Sequence, residues 1–335
     1  MQNTPEKAAK HVLYDQAIFT TVGIGANNFI VALLDSHDYA TSCLVFTGFF
    51  FISLFYKLWE VKLLENRSSK AVWAVFFRHF YTPRLRKVHW WNVGHLLFRA
   101  VNFFLLTWLV IISSHYALMA NINFGIISTC MSISAVLNCI GGVLFWHEKL
   151  KPKMIVGTVV ILLGVSWISL QKGTHKASGP LDEETQAQHT YYKVMSIGLA
   201  LFSGLLSALR VQQAKYVAKY YNYSPLDFSV DAGLVIGIVT FLSAAFYWVQ
   251  GPPASYNWHN FLICIGTSSL HMLTSLVGLN CVVKGLAGPT TAIFQASCII
   301  SISLNMVFFD LVPTTQQMLG ALVTVGGVLV MFLGK

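Results

Sequence analysis

Residues 91–113 read WNVGHLLFRAVNFFLLTWLVIIS, an apolar run broken by one formal charge, Arg99. A helix needs about twenty mostly apolar residues to cross a bilayer. In lipid, every backbone N–H and C=O must also find its partner within the chain. Runs of the same kind return at about 12–34, 39–58, 121–145, 152–170, 193–213, 226–248, 259–282, 287–309 and 315–334. Only 10% of the 335 residues are charged, where a soluble domain carries about 25%, and mean hydropathy is +0.62. The lipid bilayer is therefore the first partner the sequence implies, and the expected fold is an all-α membrane protein of ten transmembrane helices.

The charges that do occur fall between the runs, and their sign sets an orientation. With both termini cytoplasmic, the inner side collects Lys7, Lys10, Lys149, Lys151, Lys153, Lys215, Lys219, Lys335 and a basic linker over 59–90. Loops 35–38, 114–120, 249–258 and 310–314 hold no Lys or Arg. The net charge of +9 is thus a topology signal, and no loop carries a nucleic-acid motif. Within the basic linker, 71–81 (AVWAVFFRHFY) is too short to span. It reads either as a helix lying on the headgroup layer or as a buried helix extension. The segment 171–192, with its Gly-Pro and acidic run, reads as a solvated connection. All six cysteines, Cys43, Cys130, Cys139, Cys264, Cys281 and Cys298, fall inside apolar runs as packing residues.

A repeat is visible at a constant spacing. Gly125 and Gly288, Ser128 and Thr291, Gly157 and Gly320, and Gly164 and Gly327 are each 163 residues apart. Five runs separate matching positions, an odd number, so the two copies would lie in opposite orientations. The expected domains are 1–170, a first five-helix repeat including the linker 59–90; 171–192, a connection; and 193–335, a second five-helix repeat. The pairs Gly157/Gly164 and Gly320/Gly327 each mark one stripe of a helix, the kind of surface on which membrane helices approach closely. They are expected at a dimer or scaffold edge.

These blocks carry a family resemblance. A small-residue helix over 125–146, Glu148 directly after it, Pro152, and a helix with Gly157 and Gly164 resemble the repeat unit of the drug/metabolite transporter superfamily, which includes EamA-like and nucleotide-sugar-transporter-like carriers. The second copy supplies Asp310, Pro313, Gly320, Gly326 and Gly327, without the basic residues that follow Glu148. The resemblance implies ten helices in two inverted five-helix repeats and transport of a metabolite.

Polar groups inside the runs indicate where a solute would bind, since ionisable side chains in hydrocarbon usually face a cavity or a partner. Arg99 either faces a cavity or snorkels to the interface, and Asn102 shares its helix face. Asn27 and Asn28 interrupt the first run. His271, Asn280, Gln295 and Gln213 complete the candidate substrate-binding set, and Arg210 reads equally as an interfacial anchor. Asp231 and His95 are candidates for a proton relay.

The sequence contains no G-x-S-x-G, H-E-x-x-H or P-loop, so no enzyme, cofactor or metal is expected. The expected function is alternating-access transport of a small-molecule substrate, a polar metabolite that is neutral or anionic. The alternative is a structural or assembly subunit that keeps a carrier fold, and a second copy or a membrane-complex partner stays open. A cavity lined by Arg99, Asn102, His271 and Gln295 would favour the carrier. A core plugged by Phe, Trp and Met would favour the subunit.

Overall fold

The structure, a computed structural model, describes residues 12–35, 38–63, 72, 75–82, 87–120, 122, 129–170, 183–221, 223–310 and 312–333. These form α1 (Tyr14–Ala32), α2 (Tyr39–Leu63), α3 (Trp90–Met119), α4 (Ile133–Trp146), α5 (Pro152–Leu170), α6 (Glu183–Tyr220), α7 (Pro225–Gln250), α8 (Trp258–Lys284), α9 (Ala287–Gln295), α10 (Ser297–Phe309) and α11 (Thr315–Phe332). A 3-10 turn, Thr129–Ser132, leads into α4. Two short strands, β1 (Tyr81–Thr82) and β2 (Lys87–Val88), pair antiparallel with Tyr81 opposite Val88.

Local chemistry sets several helix ends. Ser224 precedes α7 and accepts the Asp227 backbone N–H at 3.1 Å, with Pro225 in the first helical position. Asn257 does the same for α8, accepting the Asn260 N–H at 2.8 Å. Thr314 and Gln317 form a reciprocal capping box at the start of α11. Each cap satisfies amides that the first turn leaves without a partner.

The ten-helix count in two inverted five-helix repeats does not hold. Among the described residues six helices are long and apolar enough to cross a membrane: Tyr39–Leu63, Trp90–Met119, Gln186–Tyr220, Pro225–Gln250, Trp258–Lys284 and Ala287–Phe309. The last of these is α9 and α10 running on through Ala296. The physical reason is that an apolar run reports burial of any kind, in protein or in lipid. α4 has 14 residues, about 21 Å at 1.5 Å per residue, against a hydrocarbon core of about 30 Å. Cys130–Trp146, Pro152–Gly164 and Thr315–Met331 are likewise shorter apolar helices. α1 buries Thr20, Thr21, Asn27 and Asn28 along its length, which dilutes its apolar character.

The chain is a multi-pass, all-α membrane protein. Trp90 and Trp91 at the start of α3 are 74% exposed and Trp258 at the start of α8 is 77% exposed, as suits side chains at the headgroup layer. Leu144, Phe145, Leu163, Leu242 and Leu262 are exposed on helix surfaces, as suits contact with lipid.

Inside, α5 packs along α11, α2 along α7, α3 along α6 and α1 along α8. One core gathers Tyr14, Ala17, Ala135, Ile161, Ile293 and Met331. Another gathers Phe46, Phe49, Phe103, Val230 and Met272. None of the six cysteines is in a disulfide, and Cys43, Cys264, Cys281 and Cys298 are buried.

Residues 75–80 of the basic linker are docked on protein. Arg78 pairs with Glu60 of α2 and Asp227 of α7, each at 2.5 Å. The His79 ring stacks on Tyr223 with centroids 4.1 Å apart. Burial alone would lower the Arg78 guanidinium, but the Asp227 and Glu60 carboxylates beside it raise it above its ordinary value. The connection over 171–192 is helical from Glu183 onward, as the first turns of α6. Residues 171–182, Gly125, Ser128, and the basic residues Lys7, Lys10, Arg67, Lys70, Arg84, Arg86 and Lys335 lie outside the described residues.

Candidate functional site: a polar cavity between the helices

α1, α3, α4, α6, α8 and α9 surround a cavity of about 140 Å³. Its polar wall is Thr20, Asn27 and Asn28 from α1, Thr107 from α3, Ser134 from α4, and Ser207 and Arg210 from α6. His271, Thr274 and Ser275 from α8, with Thr291 and Gln295 from α9, complete it. Leu106, Val110, Val211, Leu279 and Phe294 supply the apolar remainder.

Arg210 dominates the electrostatics. Its guanidinium lies over the Phe103 ring, 5.0 Å from the centroid. Its Nε and Nη1 are covered and have no hydrogen-bond partner, although the residue keeps part of its surface at the cavity wall. Among the described residues no carboxylate lines the cavity. Buried polar groups in folded proteins are almost always paired, so a bare guanidinium at a cavity wall identifies a place where something else completes the shell. Asn27 Oδ1 and the hydroxyls of Thr20 and Thr107 also lack partners.

Other wall groups are held in place. Gln295 Nε2 donates to Ser134 Oγ at 3.2 Å, tying α9 to α4. The His271 ring meets Phe49 at 5.6 Å and Phe103 at 5.1 Å, and its Nδ1 is 3.5 Å from Asn27 Nδ2. Thr274 and Thr291 donate to carbonyls one turn back, Leu270 and Ala287, each at 2.8 Å. Their remaining lone pairs can still accept.

Of the residues singled out from sequence, the structure brings Asn27, Asn28, His271 and Gln295 together at this cavity. The others lie elsewhere. Arg99 is 2% exposed; its Nη1 donates to the Arg210 carbonyl at 2.8 Å and its guanidinium covers the Phe228 ring. Asn102 is buried off the cavity with Oδ1 unpartnered. Asn280 donates to Gln16 at 3.0 Å, and Gln213 donates to the His95 carbonyl at 2.7 Å. His95 itself sits against Tyr216 and Tyr221. Asp231 pairs with the fully buried Lys57 at 2.6 Å and accepts a hydrogen bond from Tyr223. It ties α2 to α7 outside the cavity wall. The residue that sequence left undecided, Arg210, is the one placed at the site; the hydroxyl residues around it give no sequence signal, because a helical Ser or Thr can bond its own helix.

Arg99 therefore acts on the site through its neighbour. Arg99→Met is expected to leave the melting temperature in detergent unchanged or higher. A flexible apolar side chain fills the same space and a buried cation with no carboxylate partner is removed. A fall of more than about 2 °C, roughly 1–2 kcal/mol for a chain of this size, would show that the bond to the Arg210 carbonyl is needed for the fold.

No family model and no curated protein matches this chain. Among solved structures, one crystal structure aligns over 96% of this chain and 95% of its own length, with a TM-score of 0.58 at 13% sequence identity. At that identity the likeness is one of fold alone.

Proposed function

We propose that this protein is an alternating-access carrier of a small polar metabolite, with the cavity around Arg210 as its binding site. The observation that carries the proposal is the bare Arg210 guanidinium at a cavity without a carboxylate. An uncompensated buried charge costs several kcal/mol, and a solute that completes its shell offsets that cost at the moment of binding. A purely structural subunit gains nothing from such a group, and packing with Phe or Met would be more stable. The sequence resemblance to the drug/metabolite transporter superfamily supports the same reading through Glu148 and the paired glycines. In this reading both termini are cytoplasmic, following the lysine and arginine bias.

The test is uptake into proteoliposomes across a panel of labelled neutral and anionic metabolites. The wild-type protein is expected to move at least one of them saturably, and Arg210→Ala to lower that uptake about tenfold or more, the size of one lost charged contact. Pure, folded protein that moves nothing would overturn the proposal.

A further inference from the structure

Resting on the carrier reading, we infer that the solute is a short hydroxycarboxylate anion, with its carboxylate on Arg210 and its hydroxyls on the α1, α3 and α8 polar groups. Three properties of the cavity lead there. The first is size. At about 140 Å³ it is close to the roughly 150 Å³ cavity that accepts one benzene, which holds about three or four carbons with their oxygens. A hexose is about twice too large, and a nucleotide-linked sugar exceeds the space several-fold.

The second property is charge. Arg210 is the one Lys or Arg among the described lining residues. A carboxylate matches one guanidinium in both charge and geometry. A phosphate monoester carries about −1.5 to −2 near neutral pH and would leave negative charge uncompensated among Leu106, Val110 and Phe103. The third property is the need for donors as well as acceptors. Asn27 Oδ1 has no donor, and the Thr274 hydroxyl, already donating to Leu270, can only accept. A solute with hydroxyl groups supplies those donors; acetate has none.

The probe is radiolabelled D-glycerate, taken up by the full chain in proteoliposomes, with unlabelled L-lactate, acetate, glycerol, 3-phosphoglycerate, glucose and UDP-glucose as competitors. Saturable glycerate uptake is expected, with competition by lactate and little by acetate, glycerol, glucose, 3-phosphoglycerate or UDP-glucose. Arg210→Gln should raise the half-saturating glycerate concentration about thirtyfold, and Arg210→Lys less, because the ammonium keeps the charge and loses the planar fork. Should the Arg210 variants not fold, Ser207→Leu fills the same cavity without touching its charge and should abolish glycerate uptake. Saturable uptake of glucose, 3-phosphoglycerate or UDP-glucose without glycerate overturns the hydroxycarboxylate assignment and leaves the carrier standing. Glycerate uptake indifferent to both Arg210→Gln and Ser207→Leu also overturns it. No uptake of any solute overturns both readings.

Discussion

Glu148→Ala is expected to lower the unfolding free energy in detergent by about 3–5 kcal/mol, the usual cost of stripping one partner from a buried ion pair. Glu148 and Lys215 are 6% and 3% exposed and are paired with each other. The second carboxylate oxygen accepts the Ala287 N–H at 3.1 Å, at the first residue of α9, where a helix favours negative charge. Alanine would leave that amide without its acceptor, and the Lys215 ammonium without its carboxylate, beside the Gly285 carbonyl at 3.4 Å. Glu148→Gln should fall between, since its amide oxygen can still accept from Ala287. The double variant Glu148→Leu with Lys215→Met should regain most of the loss, because apolar side chains of similar volume often replace a buried pair at little cost. Unfolding of Glu148→Leu, Lys215→Met and the double gives the coupling energy directly. Additive losses would mean that the two charges do not stabilise each other.

The same pair bears on access. Lys215 lies one turn beyond Val211 on α6, and Ala287 one turn before Thr291 on α9, and both Val211 and Thr291 line the cavity. The pair therefore lies next to one end of it, and if it limits access there, weakening the pair should let a membrane-impermeant thiol reagent reach Ser134→Cys faster than in the intact protein.

The membrane class was legible in 91–113 alone, which becomes the core of α3. The helix count was not, because an apolar run does not fix the length of the helix it forms, and α4 has only 14 residues. Asn27, Asn28, His271 and Gln295 were legible as polar interruptions of apolar runs, and the structure places them at the cavity wall; Asn280 and Gln213, read from sequence in the same way, bond neighbouring helices instead. Sequence favoured Arg99 over Arg210, but both interrupt apolar runs and only the rotation of α3 and α6 decides which meets the cavity; there it is Arg210. Lys215, counted as an inner-side charge, and Lys57 are buried cations whose carboxylates come from distant helices. No local pattern marks such pairs.

The glycine stripe was legible in spacing but not in partner. The expected dimer or scaffold edge is an intramolecular seam, with α5 and α11 packed backbone to backbone. A Cβ at Gly157 would lie 2.8 Å from the Gly327 carbonyl oxygen, and one at Gly164 would lie 2.7 Å from both the Gly320 oxygen and the Thr324 nitrogen. A Cβ at Gly327 would meet the Ile161 nitrogen at 2.7 Å. These neighbours are backbone atoms, so no side-chain rotation relieves the clash and the helices must separate.

Gly164→Leu is accordingly expected to cost about 3 kcal/mol or more, at the upper end for overpacking, since it forces apart the most extensively packed helix pair among the described residues. Gly327→Ala should cost about 1–2 kcal/mol, the clash outweighing the gain of about 1 kcal/mol that alanine brings to a helix. Its neighbour is the internal control: a Cβ at Gly326 meets nothing within 4 Å, so Gly326→Ala should be neutral or stabilising by up to about 1 kcal/mol. Thermal unfolding of the three variants in one detergent decides the matter. Opposite signs at the adjacent positions 326 and 327 would locate the seam to a single helix face, whereas equal effects at both would mean that α5 and α11 do not meet backbone to backbone.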